Sequence, residues 1–331
     1  MSALDKINPQ NIKVFILVSI GRASSVFIQG LFEGHPEVLT IAGTSFYLDK
    51  VSTKQSLKET SNKFYQKIER GITYNNKHYR FNESFPKEKF YKNLKRYIEF
   101  FGLNTKNLFL GVHYAFALHF NFNINNLKYI LAHGHTSEFL FKILKDFPDS
   151  KIIYAVRDPR ANYLSYKKKL EFIIKNPNCI SKSVIVEKQL ILNKKNYFPI
   201  FLNLKKKLLL IKFMGSIYKE YFFFNILKKR CELLVIKHEE LHTNYPKIKR
   251  EIIQFLSIKS DSALETSTFF NKPYNSSESM IPSTIKVKSS KPNKKFAHEQ
   301  WKEELSSFEL KLIQFIFFGM MKTFNYKKIK F

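Results

Sequence analysis

The 331-residue chain has only two cysteines, Cys179 and Cys231, too few for a disulfide scaffold or a cysteine-based metal cluster. A reducing compartment is the simpler expectation. Acidic residues are scarce as well: 27 Asp and Glu face 56 Lys and Arg, a formal charge of +29. Such an excess attracts nucleic acid, anionic membrane surfaces or small anionic substrates. Lysine is spread along the whole chain, however, and the clusters at 167–169, 205–207 and 228–230 read as solvated helix faces rather than a nucleic-acid stripe. No run approaches the ~20 uncharged apolar residues of a membrane span. The nearest, 107–122 and 308–321, carry His113 and His119, or Glu309 and Lys311, and read as core elements. The start, MSALDKINPQ, lacks the charged head and apolar run of a signal peptide, so the expectation is a cytoplasmic protein without a stable span. No Cys/His/Asp cluster has zinc-ligand spacing, and no metal is expected. The GxxxxGK[ST] loop is absent too, which disfavours ordinary ATP- or GTP-dependent P-loop chemistry.

What is present is ample material for a core: 44% hydrophobic residues, 16% aromatic. Short β-branched apolar runs at 13–18 (KVFILV), 127–132 (LKYILA), 151–156 (KIIYAV) and 233–237 (LLVIK) read as strands buried on both faces, with a further short strand at 38–41. Helical patterns alternate with them: 26–33, 138–145, the segment after Pro159, 204–230, 245–256 and 299–324. Strands alternating with helices predict an α/β fold with a central parallel sheet flanked by helices. Residues 52–101 read as a helical insertion, broken around 74–86, and 261–295 as irregular. Neither an internal repeat nor a linker between two cores is visible, so 1–331 reads as one domain.

Two constellations carry chemistry. The first is a strand, a small-residue loop and a helix, FILVSIGRASSVFIQGLF, in which Arg22 supplies a cation and Ser24 and Ser25 supply hydroxyls beside the helix N-terminus. The second is KIIYAVRDPRANYLS, where a strand delivers Arg157 at its carboxyl end and Ser165 follows eight residues later. An arginine and a hydroxyl converging on one phosphate form charge-assisted hydrogen bonds. His35, in the Gly-His-Pro stop after the first helix, reads as a turn cap. His113 and His119 lie on an apolar segment without ligand spacing.

Together the two segments resemble those of the PAPS-dependent sulfotransferase family (PAPS, 3′-phosphoadenosine 5′-phosphosulfate), which has a P-loop NTPase-like fold. HPEV, VIKHEELHTNYPKIKREIIQFLSI, HEQWKEELSSFELKLI and MMKTFNYK resemble further segments of that family, in the same order. The resemblance covers 13–47, 127–170 and 231–327; it is weak through 52–101 and 170–230, which would shape the acceptor side. It implies that Arg22 and Ser25 hold the donor's 5′ end, and that Phe27 and His238 lie near adenine. Arg157, Ser165, Lys294 and Lys295 would reach the 3′-phosphate. Ser24 joins the loop as a departure, standing where the family has glycine, while Ala23 and Val26 replace hydroxyl-bearing residues. The implied reaction moves a sulfuryl group to a hydroxyl acceptor, a carbohydrate being one candidate, without a metal. His135, sixteen residues before Lys151, is the first choice of general base, with His133 and Glu138 as rivals. A degenerate, non-catalytic nucleotide-binding relative and a basic nucleic-acid-binding protein are the competing readings.

Overall fold

The apolar run at the front of the chain forms strand β1 (Lys13–Ser19), and every residue after Lys13 in it is buried. Its side chains alternate between two cores. Val14, Ile16 and Val18 enter one, Phe15 and Leu17 the other. A strand covered on both faces needs apolar residues at every position, which is why the run is continuous rather than alternating. The other strands are β2 (Val38–Leu39), β3 (Tyr129–Gly134), β4 (Lys151–Val156) and β5 (Leu233–Lys237). They form a five-stranded sheet in the order β2-β3-β1-β4-β5, parallel throughout. Ile16 lies opposite Ala132 on one side and Ile152 on the other.

This computed structural model describes residues 12–41, 56–75, 86–134, 137–175, 199–269, 272–274, 290–297 and 299–330. Its helices are α1 (Ser25–Leu31), α2 (Leu57–Asn75), α3 (Lys87–Phe101), α4 (Thr105–His119), α5 (Ser137–Asp146), α6 (Pro159–Lys175), α7 (Pro199–Leu227), α8 (His238–Thr243), α9 (Tyr245–Leu256), α10 (Trp301–Glu304), α11 (Ser307–Ile316) and α12 (Phe318–Thr323). One face of the sheet is covered by Ile28 and Leu31 of α1 and by Ile248, Ile252 and Leu256 of α9. The other face carries the larger core, with Phe64, Leu94, Val112, Leu140, Leu170, Phe224 and Ile313. Each fully buried side chain of this size contributes about 1.5–3 kcal/mol. The whole is one α/β domain.

Three differences from the sequence reading have local causes. The single C-terminal helix expected over 299–324 is three. Leu305 turns extended, and Ser306 restarts the chain with a capping box: Glu309 N donates to its hydroxyl while its own N–H donates to the Glu309 carboxylate. Strand β3 runs two residues later than expected, because Leu127 closes a 3₁₀ turn and Gly134 is drawn in beneath the Phe139 ring. Within 261–295 a short antiparallel pair forms between β6 (Thr268–Phe269) and β7 (Lys272–Pro273).

Candidate active site

β1 leads through α1 to β2 on one side of it, whereas β4 leads through α6 and α7 to β5 on the other. Between the carboxyl ends of β1 and β4 the connections diverge, which opens the crevice where parallel sheets hold ligands. Residues 20–24 leave β1 at this point and Arg157 leaves β4 beside them. Asn162, in the first turn of α6, joins the two. Its Nδ2 donates to the Ile20 carbonyl (3.2 Å) and its Oδ1 accepts from Arg22 N (3.1 Å). Gly21 has φ 65°, and a Cβ there would stand 2.8 Å from Asn162 Nδ2, so a side chain would strain the turn and push the Asn162 amide out of place. The Asn162 clamp was not singled out in the sequence; its signal is an amide in the first turn of the helix that follows Arg157.

Ser24 ends the loop in the left-handed region, φ 63° and ψ 21°, and makes no side-chain cap to α1. A left-handed non-glycine residue is held at about 1–2 kcal/mol of strain. Its hydroxyl lies 2.7 Å from His238 Nδ1 and 3.5 Å from His242 Nε2. The proton positions follow from the partners. Burial, then Arg157 and His242, hold His238 well below its ordinary pKa, and burial with Arg157 pushes His242 down to about 4. Both rings are therefore neutral at neutral pH. His238 Nε2 lies 2.9 Å from the Phe296 carbonyl, which can only accept, so Nε2 carries the proton and Nδ1 accepts from Ser24. His242 Nδ1 accepts from Asn293 N (3.2 Å), so its proton sits on Nε2, facing Ser24. The Ser24 hydroxyl proton is thus committed to His238 rather than to the crevice, unlike the donor role expected of it.

Arg157 Nη1 donates to the Arg22 carbonyl at 3.4 Å, and its Nε is buried without a hydrogen-bond partner among the described residues. Burial, with Arg22 adding to it, pushes the Arg157 pKa down; Glu239, Tyr326 and Asp158 oppose this. A guanidinium starts so high that it stays charged. Beneath it, Asp158 N donates to Glu239 Oε1 (3.1 Å) and Tyr326 OH to Glu239 Oε2 (3.0 Å). Burial raises the Glu239 pKa, against the Asp158 N–H and the Arg157 charge. Arg160 is buried and bidentate to Asp158 (2.9 and 2.6 Å), and its guanidinium lies 3.8 Å from the centre of the Trp301 ring. Gln314 accepts from Arg160 Nη1 (3.1 Å) and from Ile329 N (2.7 Å), which pins the C-terminal tail. The Trp301 stretch and the tail tyrosine therefore brace the Arg157 turn from behind.

Arg22 is exposed at the loop. Ser25 is buried, accepting from Ser19 Oγ at 3.2 Å. Phe27 is buried, with the His242 ring 5.3 Å away and the Tyr274 ring 5.9 Å away. Ser165, half-buried, lies one turn beyond Asn162 on the same side of α6. Lys294 and Lys295 are exposed on a 3₁₀ turn, Lys294–Ala297, the turn that contributes the Phe296 carbonyl to His238. His133 is buried at the end of β3, opposite Leu17 of β1. His135 lies outside the described residues, and Glu138 opens α5 with its side chain also outside them. His35 is a turn cap, accepting from Glu37 N (3.1 Å) and bonded to the Lys259 carbonyl (3.0 Å). Among the described residues no group of His, Cys, Asp and Glu is placed to hold a metal ion.

Helix α1 has only seven residues, so the positive character of the crevice rests on the Arg22 and Arg157 guanidinia more than on a helix dipole. An anion with several oxygens fits this arrangement. The loop backbone is held open by Gly21 and Asn162, and a buried Arg157 Nε–H has no acceptor among the described residues.

Residues 43–325 match the family model described as a sulfotransferase domain; the match begins after the β1 loop and α1. Among solved structures, the sulfotransferase domain from the curacin biosynthetic pathway superposes with a TM-score of 0.56 at 13% identity, covering 96% of this chain and 100% of its own. The sulfotransferase domain of the Synechococcus PCC 7002 olefin synthase reaches a TM-score of 0.49 at 13% identity, covering 96% of this chain and 97% of its own. No curated protein matches the chain.

Proposed function

The chain belongs to the sulfotransferase domain family, and on that premise we propose that it transfers a sulfuryl group from PAPS to a hydroxyl acceptor. The observation that carries this reading is the delivery of Arg22 and Arg157 to one crevice by the two strands at the divergence of the sheet, locked together by Asn162. When bound, the donor supplies a sulfuryl group whose transfer breaks the bond between sulfur and the bridging phosphate oxygen. Arg22 and the 20–24 backbone would hold its 5′ end and stabilise the negative charge left on that oxygen. Arg157 would hold the 3′-phosphate through the Nε–H that has no partner among the described residues, with Ser165 one turn further along α6 and Lys294 and Lys295 from the opposite turn. The hydroxyl of Ser25 remains able to donate, whereas Ser24 offers its backbone N–H. Phe27, flanked by His242 and Tyr274, marks the apolar end of the site, suited to the adenine.

The acceptor hydroxyl must lose its proton as its oxygen bonds to sulfur. We assign this to His135, just beyond β3, with His133 and Glu138 as the residues to test beside it. A carbohydrate hydroxyl is the acceptor class we favour, and 1–331 acting as one catalytic unit follows from the same reading.

Binding of adenosine 3′,5′-bisphosphate, followed by thermal shift, tests the donor. A shift that is lost in Arg157→Ala, together with labelled-sulfate transfer to sugars, phenols or lipid alcohols, is expected. No shift at millimolar bisphosphate would overturn the reading. A shift without transfer to any acceptor would leave a nucleotide-binding relative, a reading the committed Ser24 hydroxyl favours. Steeply salt-dependent affinity for nucleic acid in place of the shift would indicate a polyanion-binding protein.

A further inference from the structure

Helix α7 is apolar on two opposite sides, and the described residues cover only one. Leu210, Met214, Ile217, Phe224 and Leu227 point into the larger core. On the other side Leu204 is 53% exposed, Leu208 57%, Ile211 64%, Tyr218 54% and Phe222 58%. With Gly215, also exposed, these positions are 204, 208, 211, 215, 218 and 222, spaced alternately by four and three. That spacing lines them up on one side of a helix over about 27 Å. At Gly215 an added Cβ would meet nothing within 4 Å, so no described residue covers the middle of the stripe. A helix apolar all round is ordinarily enclosed on all sides.

The charge around the stripe favours one kind of partner. Exposed Lys207, Lys212 and Lys219 flank it, while Glu220, the one acid between 204 and 222, is buried. A second copy of the chain would set lysine against lysine across the seam, in a protein of formal charge +29. We propose that this face of α7 lies on an anionic lipid surface. Leu204, Leu208, Ile211, Tyr218 and Phe222 enter the headgroup boundary and the lysines meet lipid phosphates. No helix among the described residues is long and apolar enough to cross a membrane, so α7 lies along the surface while its other side stays packed on the domain. A lysine near an anionic bilayer raises binding about fivefold, and the apolar stripe adds a term that salt does not screen.

The test is flotation of the full chain with phosphatidylcholine vesicles, with and without phosphatidylserine, at rising salt. Binding to the phosphatidylserine vesicles is expected, weakening but persisting as salt rises. The double variant Leu208→Glu, Ile211→Glu should lose it with an unchanged melting temperature, since both side chains are exposed. Phe222→Trp supplies an optical probe: brominated lipid should quench it, whereas the buried Trp301 stays protected. Equal vesicle binding by the double variant would overturn the proposal. So would a dimer seen by light scattering that the same double variant dissolves, with no partition to vesicles.

Discussion

Replacing Ser24 separates backbone strain from hydrogen bonding in the donor loop. Ser24→Ala removes the hydroxyl that donates to His238 Nδ1 at 2.7 Å and leaves a buried ring nitrogen without a partner. Such an orphaned acceptor destabilises by about 1–3 kcal/mol. The alanine also keeps φ 63°, with its strain. Ser24→Gly loses the same bond but relaxes the left-handed backbone, which is worth about 1–2 kcal/mol. Ser24 makes no side-chain cap to α1, so neither variant loses a cap. The glycine variant should therefore be more stable than the alanine variant by about 1–2 kcal/mol. The order would be reversed in a helix interior. Urea unfolding at neutral pH, with m-values checked for constancy, measures the difference. An alanine variant as stable as the glycine variant would refute the left-handed assignment. Binding offers a second reading. Because the Ser24 proton is committed to His238, Ser24→Gly should keep its affinity for adenosine 3′,5′-bisphosphate. A tenfold loss, with stability within the expected range, would show that the hydroxyl reaches the donor after all.

Three further predictions address the surrounding structure. His113 and His242 are held at about 4 by burial, and His238 lies well below its ordinary value, so the unfolded chain binds protons that the folded one refuses. Stability should accordingly fall as pH drops from about 6.5 towards 4, by up to about 1.4 kcal/mol per unit for each histidine. Urea midpoints measured across that range should give this slope, and His242→Gln should flatten it. Asn162→Ala orphans both the Ile20 carbonyl and the Arg22 N–H; we expect about 2–4 kcal/mol lost and at least tenfold weaker bisphosphate binding by calorimetry. Unchanged binding would mean the loop holds its shape without the clamp. Arg160→Ala leaves Asp158 buried and unpaired and should destabilise by about 3–5 kcal/mol in chemical denaturation, and Arg160→Lys should restore only part of this.

The residues that were legible one by one are those whose role is set by their immediate neighbours. Lys151–Val156, Leu233–Lys237 and Tyr245–Leu256 fall where the pattern puts them. An apolar β-branched run too short for a helix has few alternatives to a buried strand. The 245–256 helix carries its own start, a proline at its second position, and apolar residues at helical spacing. Breaks within helical patterns were harder to read, because Leu305 differs little from its neighbours until the Ser306–Glu309 box is weighed against helix continuity.

The candidate site divides along the same line. Arg22 and Arg157 were visible because Arg157 directly follows β4 and Arg22 stands three residues beyond β1, and in a parallel sheet the carboxyl end of a strand is where ligands bind. Chain order alone does not make those two strands neighbours: 135 residues separate the arginines, and adjacency came from β1 taking the middle of the sheet between β3 and β4. The same holds for Asn162 reaching back 140 residues to Arg22, and for Ser24 bonding His238 across 214. Local sequence determined which segments are strands and which residues stand at their ends, since backbone preference and apolar patterning act over a few residues. The tertiary structure alone decided that Ser24 donates to a histidine, that Trp301 backs Arg160 rather than facing the crevice, and that no described residue covers one side of α7. Each of those depends on a surface, a charge or a lone pair contributed by a distant part of the chain.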